Sequence, residues 1–181
     1  MDNPARTNAP LAGEAGDIEI HAMPGHLIRR LHQAATAIFD RETARRGFDL
    51  TSVQFAALAV IDARPGLDQA TLAAAISYDR VTIGGVIDRL EAKGLVRREV
   101  DRGDRRSRRL HLEPAGKSVL GRVLPHVRQA QGLMLAGLSD RERVTLLRLL
   151  RKTLGAMADV SRTPVEAAPA AGKPQPRVRR L

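Results

Sequence analysis

The chain has 181 residues, no cysteine, and 30 Lys and Arg against 20 Asp and Glu. Without cysteine it has neither disulfides nor thiolate chemistry, and no apolar run reaches the ~20 residues that a membrane-spanning helix needs. The first residues also have no charged-then-apolar signal pattern, so the sequence predicts a cytoplasmic protein. The basic excess fits solubility alone, a nucleic acid or an anionic membrane surface, and only the placement of the charges can decide.

Composition divides the chain into a folded part and two tails. Residues 1–22 mix Asn, Pro, Ala and Gly without apolar periodicity, and residues 161–181 carry four prolines among Ala, Lys and Arg. Such segments cannot bury enough apolar surface to fold, so we predict a disordered N-terminal tail and a disordered, basic C-terminal tail. Residues 23–160 are long enough for one domain with a core of its own.

The first half of this domain is predicted to be helical. Residues 25–46 carry apolar side chains at helical spacing. Thr51 and Gln54 fit a capping box that starts a second helix, which ends ahead of the next Pro-Gly pair. Asp68 can cap a short third helix, and after a tight turn Asp79 can cap a fourth that stops at a glycine.

A β-hairpin is predicted directly after the fourth helix. Residues 95–100 and 107–112 read as two short strands around a polar, glycine-containing turn. Two short helices joined by a turn and followed by a hairpin are typical of a winged helix-turn-helix. We therefore predict a mainly α fold with six helices and one β-hairpin wing.

The last two helices follow the hairpin. Pro114 suits the first turn of the fifth helix, which should reach about Ala136 with a kink at Pro125. Ser139 and Glu142 fit a second capping box ahead of a sixth helix with a leucine-rich face.

The fourth helix carries the candidate contacts to DNA bases. The second helix of such a pair enters the major groove. If the apolar residues Ile83, Val86, Ile87 and Leu90 of the fourth helix point inward, its first turn and its opposite face are exposed to solvent. Asp88 also points outward. Arginine can bond guanine, threonine can bond or touch bases, and valine can meet a thymine methyl. The predicted recognition residues are Asp79, Arg80, Val81, Thr82, Gly85 and Arg89.

Gly84 and Gly85 lie in the middle of this helix, where each glycine costs about 1 kcal/mol relative to alanine. Either close packing against a neighbouring helix or a close approach of the backbone to DNA explains them, and the sequence leaves both open.

Seven arginines crowd the predicted hairpin, at positions 97, 98, 102, 105, 106, 108 and 109. A run of charge by itself describes only a solvated face. On a hairpin beside a helix-turn-helix, however, such side chains can contact phosphates and enter a narrow minor groove. The predicted wing residues are Arg102, Asp104, Arg105, Arg106 and Arg108, with Asp104 holding the shape of the loop.

These segments together resemble the multiple-antibiotic-resistance regulator (MarR) family, and the resemblance covers about residues 25–158. It rests on residues 72–82, 88–98, 101–107 and 112–116. It implies a homodimer that binds double-stranded DNA through about residues 50–112 and dimerises through helices at about 25–46 and 114–159. It also implies that Arg106, or else Arg105, inserts into the minor groove. Glu113 departs from the family's usual threonine, which weakens one helix cap.

The family usually represses transcription until a small aromatic or anionic molecule binds. Residues 25–33, 66–72 and 78–80 resemble the branch that controls breakdown of aromatic acids and their coenzyme A thioesters. The resemblance implies a small-molecule effector whose carboxylate or phosphate meets His26, Arg29, Arg30 and His32. These residues are otherwise ordinary exposed positions on an amphipathic helix.

The sequence lacks the residue patterns of a metal site or an enzyme. The five histidines are scattered, without the spacing of metal ligands, and no nucleophile–base or acid–base constellation indicates an enzyme. We therefore predict no catalytic residue, no metal and no cofactor. The alternative is a winged-helix protein-interaction module without specific DNA readout, which would need neither the arginine-rich tip nor the exposed Arg80-Val81-Thr82 surface.

Overall fold

The computed structural model describes residues 18–101, 103 and 108–160. A single 3₁₀ turn, Glu19–Ala22, lies inside the range predicted as the N-terminal tail. The remaining elements are α1 Pro24–Ala44, α2 Ser52–Ala63, β1 Leu67–Asp68, α3 Gln69–Ala75, α4 Arg80–Ala92, β2 Val96–Val100, β3 Arg108–Leu112, α5 Pro114–Met134 and α6 Asp140–Val160. They form two compact units, the first ending at Ala136 and the second, with α6, beginning at Gly137. The predicted six-helix winged helix-turn-helix is confirmed.

Local side-chain caps start the helices where the sequence predicts them. The Gln54 amide donates to the Thr51 hydroxyl at 3.3 Å, and the Thr51 amide donates to Oε1 of Gln54 at 3.0 Å, which completes the first capping box. Asp68 accepts from the Thr71 amide at 2.8 Å and caps α3. In the second unit, Glu142 accepts from the amide and the hydroxyl of Ser139. These bonds satisfy amides that a helix start leaves unpaired.

A two-residue strand, β1, joins the predicted hairpin as a third strand. The sheet is antiparallel in the order β1-β3-β2, with Leu67 opposite Leu110 and Val96 opposite Leu112. The sequence did not predict this strand, because two residues are too short to show a period. The strand exists only through its pairing with β3, more than 40 residues away in the chain.

One face of α4 packs into the core. Ile83, Val86, Ile87 and Leu90 are buried, as the sequence predicts. They belong to a cluster that also contains Leu58 and Ile61 of α2, Leu72 of α3 and Leu110 of β3. Burial of each such side chain stabilises the fold by about 1.5–3 kcal/mol. The opposite face of α4 is thereby turned to solvent.

The first turn of α5 packs directly against the backbone of Leu95, the residue before β2 of the wing. The Glu113 amide donates to the Leu95 carbonyl at 3.0 Å, and a Cβ at Gly116 would overlap that same carbonyl oxygen. Glu113 occupies the N-cap position, but its carboxylate faces Nε of Arg97 at 3.3 Å instead of capping the helix. The helix continues through Pro125. None of the helices in the described part of the chain is long and apolar enough to cross a membrane.

Candidate nucleic-acid interface

Asp79 fixes the first turn of α4. Its carboxylate accepts from the Thr82 amide at 2.8 Å and from the Thr82 hydroxyl at 2.5 Å. The hydroxyl bond first, and the amide bond second, hold the pKa of Asp79 below its ordinary value. The Thr82 hydroxyl proton is therefore committed to the cap. What Thr82 still offers to a DNA base is a methyl group and oxygen lone pairs.

The rest of this first turn is exposed. Arg80 is open to solvent, and the Val81 side chain is 87% exposed. The side-chain amide of Gln69, the first residue of α3, donates to the Arg80 carbonyl at 3.0 Å. The two helices are thus joined at the start of α4, so the exposed turn has a fixed position against α3.

The two mid-helix glycines of α4 have different surroundings. A Cβ at Gly84 would lie 3.2 Å from the side-chain amide nitrogen of Gln69, a contact that favours packing against α3 as the reason for this glycine. At Gly85 the nearest atom belongs to Arg89, whose Nε donates to the Gly85 carbonyl at 3.0 Å. The Arg89 side chain therefore lies along its own helix. Close approach of the Gly85 backbone to DNA stays a prediction.

Ion pairs hold several arginines of the wing. Arg97 pairs with Glu99 at 2.7 Å, and Arg109 pairs with Asp101 at 2.5 Å while also donating to the Gly66 carbonyl at 3.0 Å. These contacts, with those of Arg98 described next, stabilise the wing. Of the predicted DNA contacts, Arg108 is exposed on β3, whereas Arg102, Asp104, Arg105 and Arg106 lie outside the described residues.

Arg98 connects the wing to α4. From β2 its guanidinium reaches two carboxylates of α4, Asp88 at 2.6 Å and Glu91 at 2.5 Å. The Arg98 backbone amide also donates to Glu91 at 3.2 Å. In sequence Arg98 is one of the basic residues of the hairpin, and this bridge could not be predicted because its partners are seven and ten residues away on another element.

A small basic cluster lies at the start of α1. The His21 and His26 rings stack with centroids 5.3 Å apart, and Nη2 of Arg29 lies 3.5 Å from Nδ1 of His26. Desolvation, then the charges of Arg29, His21 and Arg30, lower the pKa of His26 from its ordinary 6.5. Arg30 and His32 are exposed on the same helix. His21 thus belongs to the same cluster as two of the predicted effector residues, His26 and Arg29. Helical spacing could not indicate this contact, because His21 precedes α1.

A separate surface cleft of about 260 Å³ lies between the connection from α1 to α2, the end of α4 and α5. Lys93 pairs there with Asp49 at 2.7 Å, and the Arg122 guanidinium lies 5.4 Å from the centre of the Phe48 ring. The cleft thus combines two cations with an aromatic and aliphatic wall. Among the described residues, no three His, Asp or Glu side chains converge as metal ligands.

Comparison with known proteins identifies the family. The sequence model of the MarR family matches residues 48–107. The HTH-type transcriptional repressor NicR of Pseudomonas putida is 36% identical over 148 residues, which cover 82% of this chain and 91% of NicR. The chain belongs to the MarR family. As a MarR-family protein it is a transcriptional regulator and not an enzyme.

Solved structures of other family members agree with this MarR fold. BpsR of Bordetella bronchiseptica, whose DNA binding is regulated by 6-hydroxynicotinic acid, aligns with a TM-score of 0.68 and 32% identity, covering 72% of this chain and 92% of BpsR. The repressor CouR, bound to a 23-mer DNA duplex, aligns with a TM-score of 0.71 and 27% identity, covering 78% of this chain and 99% of CouR.

Proposed function

We propose that this MarR-family chain binds a pseudo-palindromic operator as a homodimer and is released from it by a small aromatic acid or its coenzyme A thioester. The observation that carries the DNA-binding part is the first turn of α4. There Arg80, Val81 and Thr82 are solvent-exposed on a turn that the Asp79 cap and the Gln69 amide hold in place. A rigid, exposed helix start with an arginine and an apolar side chain suits readout of base edges in the major groove.

The wing adds the second set of DNA contacts in this proposal. Arg102, Arg105, Arg106 and Arg108 contact phosphates, and Arg106 enters the minor groove. Because phosphate contacts release counterions, operator affinity should fall steeply as salt rises. In a dimer the two recognition helices should read half-sites whose centres are about one DNA turn apart.

Footprinting on the DNA upstream of the protein's own coding sequence tests this proposal. We expect a protected pseudo-palindrome. Arg80→Ala should relax sequence preference by about 1–3 kcal/mol per lost base contact. Arg106→Ala should weaken binding, and Arg128→Ala, an exposed position of α5, is the matched control for loss of one charge. A chain that retards every sequence equally would favour the protein-interaction module instead.

Exposed apolar side chains on α1 and on α6 support the homodimer. Ile28 of α1 is 55% exposed and Leu154 of α6 is 67% exposed, and each has further exposed apolar neighbours on its own helix. Such surfaces on a regulator are typical of subunit contacts. Leu154→Glu should yield a monomer in light scattering, whereas Thr153→Glu, an exposed neighbour, should not. A wild-type monomer would contradict the proposal.

The effector part rests on the relatives and on the basic cluster of α1. His26 and Arg29 lie together, so a carboxylate that meets Arg29 also meets the imidazole. The cleft beside Phe48 offers a second location, where the Arg122 guanidinium supplies the charge and Lys93 is paired with Asp49. Phenolic acids, 6-hydroxynicotinic acid and coenzyme A thioesters are titrated against the operator complex. If α1 holds the effector, Arg29→Ala abolishes release and Arg122→Ala does not. The opposite result moves the effector to the cleft.

A further inference from the structure

The turn between α3 and α4 contains a residue in a strained backbone conformation. Ser77 has a φ of 58°, and it is the one residue other than glycine with a positive φ in the described part of the chain. A side chain is disfavoured in this left-handed region because its Cβ crowds the following carbonyl oxygen, and glycine is the usual residue there. Glycine would therefore adopt the backbone conformation of Ser77 without strain.

Two other helices of this chain end in the same hydrogen-bond pattern, with glycine at the equivalent position. After α3 the amides of Ser77 and Tyr78 donate at 3.3 and 3.0 Å to the carbonyls three and five residues earlier, which is a Schellman motif. Gly47 after α1 and Gly94 after α4, with φ values of 74° and 66°, begin the same pair of bonds. Since this chain has glycine at the two other motifs, the serine at 77 needs a reason that lies in its side chain.

The Ser77 side chain is exposed beside the first turn of α4. Residues 77–82 form one continuous exposed segment, and no hydrogen bond joins the Ser77 hydroxyl to any residue that the structure describes. Ser77 lies three residues before Arg80, so their Cα atoms are at most about 11 Å apart. The major groove is only about 12 Å wide and bordered by phosphates. A helix start that enters the groove therefore brings the preceding turn to its edge.

We propose that the Ser77 hydroxyl donates a hydrogen bond to a phosphate at the edge of the major groove, a role that rests on the proposed binding to DNA. Serine hydroxyls are common donors to phosphate oxygens, and such contacts fix the register of a protein on the duplex. Glycine has no donor in its side chain. The contact thus explains why serine occupies a backbone conformation that suits glycine better.

Ser77→Gly tests the proposal because stability and DNA binding should change in opposite directions. Removal of the strain should raise the Tm by about 2–4 °C at one fixed protein concentration. Loss of the hydroxyl should weaken operator binding about tenfold in gel shifts. Ser77→Ala keeps the strained backbone and loses only the hydroxyl, so it should weaken binding equally without the rise in Tm.

Two further measurements distinguish a phosphate contact from a base contact or a charge. Phosphates carry no sequence information, so Ser77→Gly should weaken binding to the operator and to unrelated DNA by the same factor. A neutral hydroxyl releases no counterions, so the slope of log affinity against log salt should stay as in the wild type.

Gly47→Ser and Tyr78→Phe are the matched controls. A Cβ at Gly47 would have no atom within 4 Å, so Gly47→Ser adds only the strained serine and should lower the Tm by about as much as Ser77→Gly raises it. Tyr78→Phe removes the hydroxyl of the neighbouring side chain, which is 40% exposed, and should bind the operator as tightly as the wild type.

The outcomes separate this contact from the proposed function as a whole. Operator binding by Ser77→Gly equal to that of the wild type would overturn the contact, and so would a loss confined to the operator. An unchanged Tm would overturn the argument from strain. If the wild-type chain binds every DNA sequence equally, the proposed function fails instead, and the affinity of Ser77→Gly for that DNA still decides whether Ser77 contacts a phosphate.

Discussion

Replacing Gly116 by alanine should destabilise the protein although alanine is the better helix former. In the interior of a helix, Gly→Ala favours folding by about 1 kcal/mol. At Gly116, however, the new Cβ would overlap the Leu95 carbonyl oxygen, which is backbone and already accepts from the Glu113 amide. Overpacking of this kind costs about 1–3 kcal/mol, and a lost hydrogen bond adds about 1 kcal/mol. The net expectation is a loss of about 1–3 kcal/mol.

Thermal and urea unfolding of Gly116→Ala at one fixed protein concentration measure this loss, because unfolding of an oligomer depends on concentration. In a chain of this size the change corresponds to a Tm lowered by about 2–12 °C. Gly121→Ala is the control, since the same helix has open space around Gly121 and the variant should gain stability. A Gly116→Ala protein as stable as Gly121→Ala would refute the packing argument.

Three further predictions concern the caps and the effector. The hydrogen bond from the Thr71 backbone amide is the largest cause of the lowered pKa of Asp68 in the folded protein. As the pH falls, this carboxylate is therefore protonated at a higher pH in the unfolded chain than in the folded one. Stability should therefore fall as the pH drops from the ordinary value of 3.8 through the lower folded pKa, and Asp68→Asn should reduce this slope in acid titrations of unfolding. Asp79→Ala should weaken operator binding in gel shifts more than Asp68→Ala, because only Asp79 caps the recognition helix; equal losses would contradict this. An anionic effector should bind more tightly as the pH falls, since protonation of His26, whose pKa desolvation and nearby cations lower from 6.5, adds an attraction; calorimetry on His26→Gln should show a flatter dependence.

The order of the elements could be read from the sequence because local interactions determine it. The caps at Thr51, Asp68 and Asp79 each join residues three apart, and a pattern in one short window reveals them. The buried face of α4 follows from helical periodicity in the same way. The resemblance to the MarR family rests on several such windows, so the sequence predicted the fold and the class of regulator together.

The roles of single side chains at the interface depended on side-chain orientations and contacts that caps and periodicity do not specify. The sequence does not show which acids hold Arg97, Arg98 and Arg109. In the structure Arg97 pairs with Glu99, Arg98 with Asp88 and Glu91, and Arg109 with Asp101. Likewise only the structure shows that the Thr82 hydroxyl donates its hydrogen bond to the Asp79 carboxylate.

The sequence by itself therefore determined where helices and strands begin, which faces are apolar and which family the chain resembles. The tertiary structure decided the third strand, the need for glycine at 116 and the bridge from Arg98 to α4. The physical reason is how far apart along the chain the contacting residues are. Caps and periodicity join residues within one or two helical turns, whereas contacts such as Lys93 with Asp49 and Arg109 with Gly66 span more than 40 residues. Such contacts form only when packing of the core has brought their elements together.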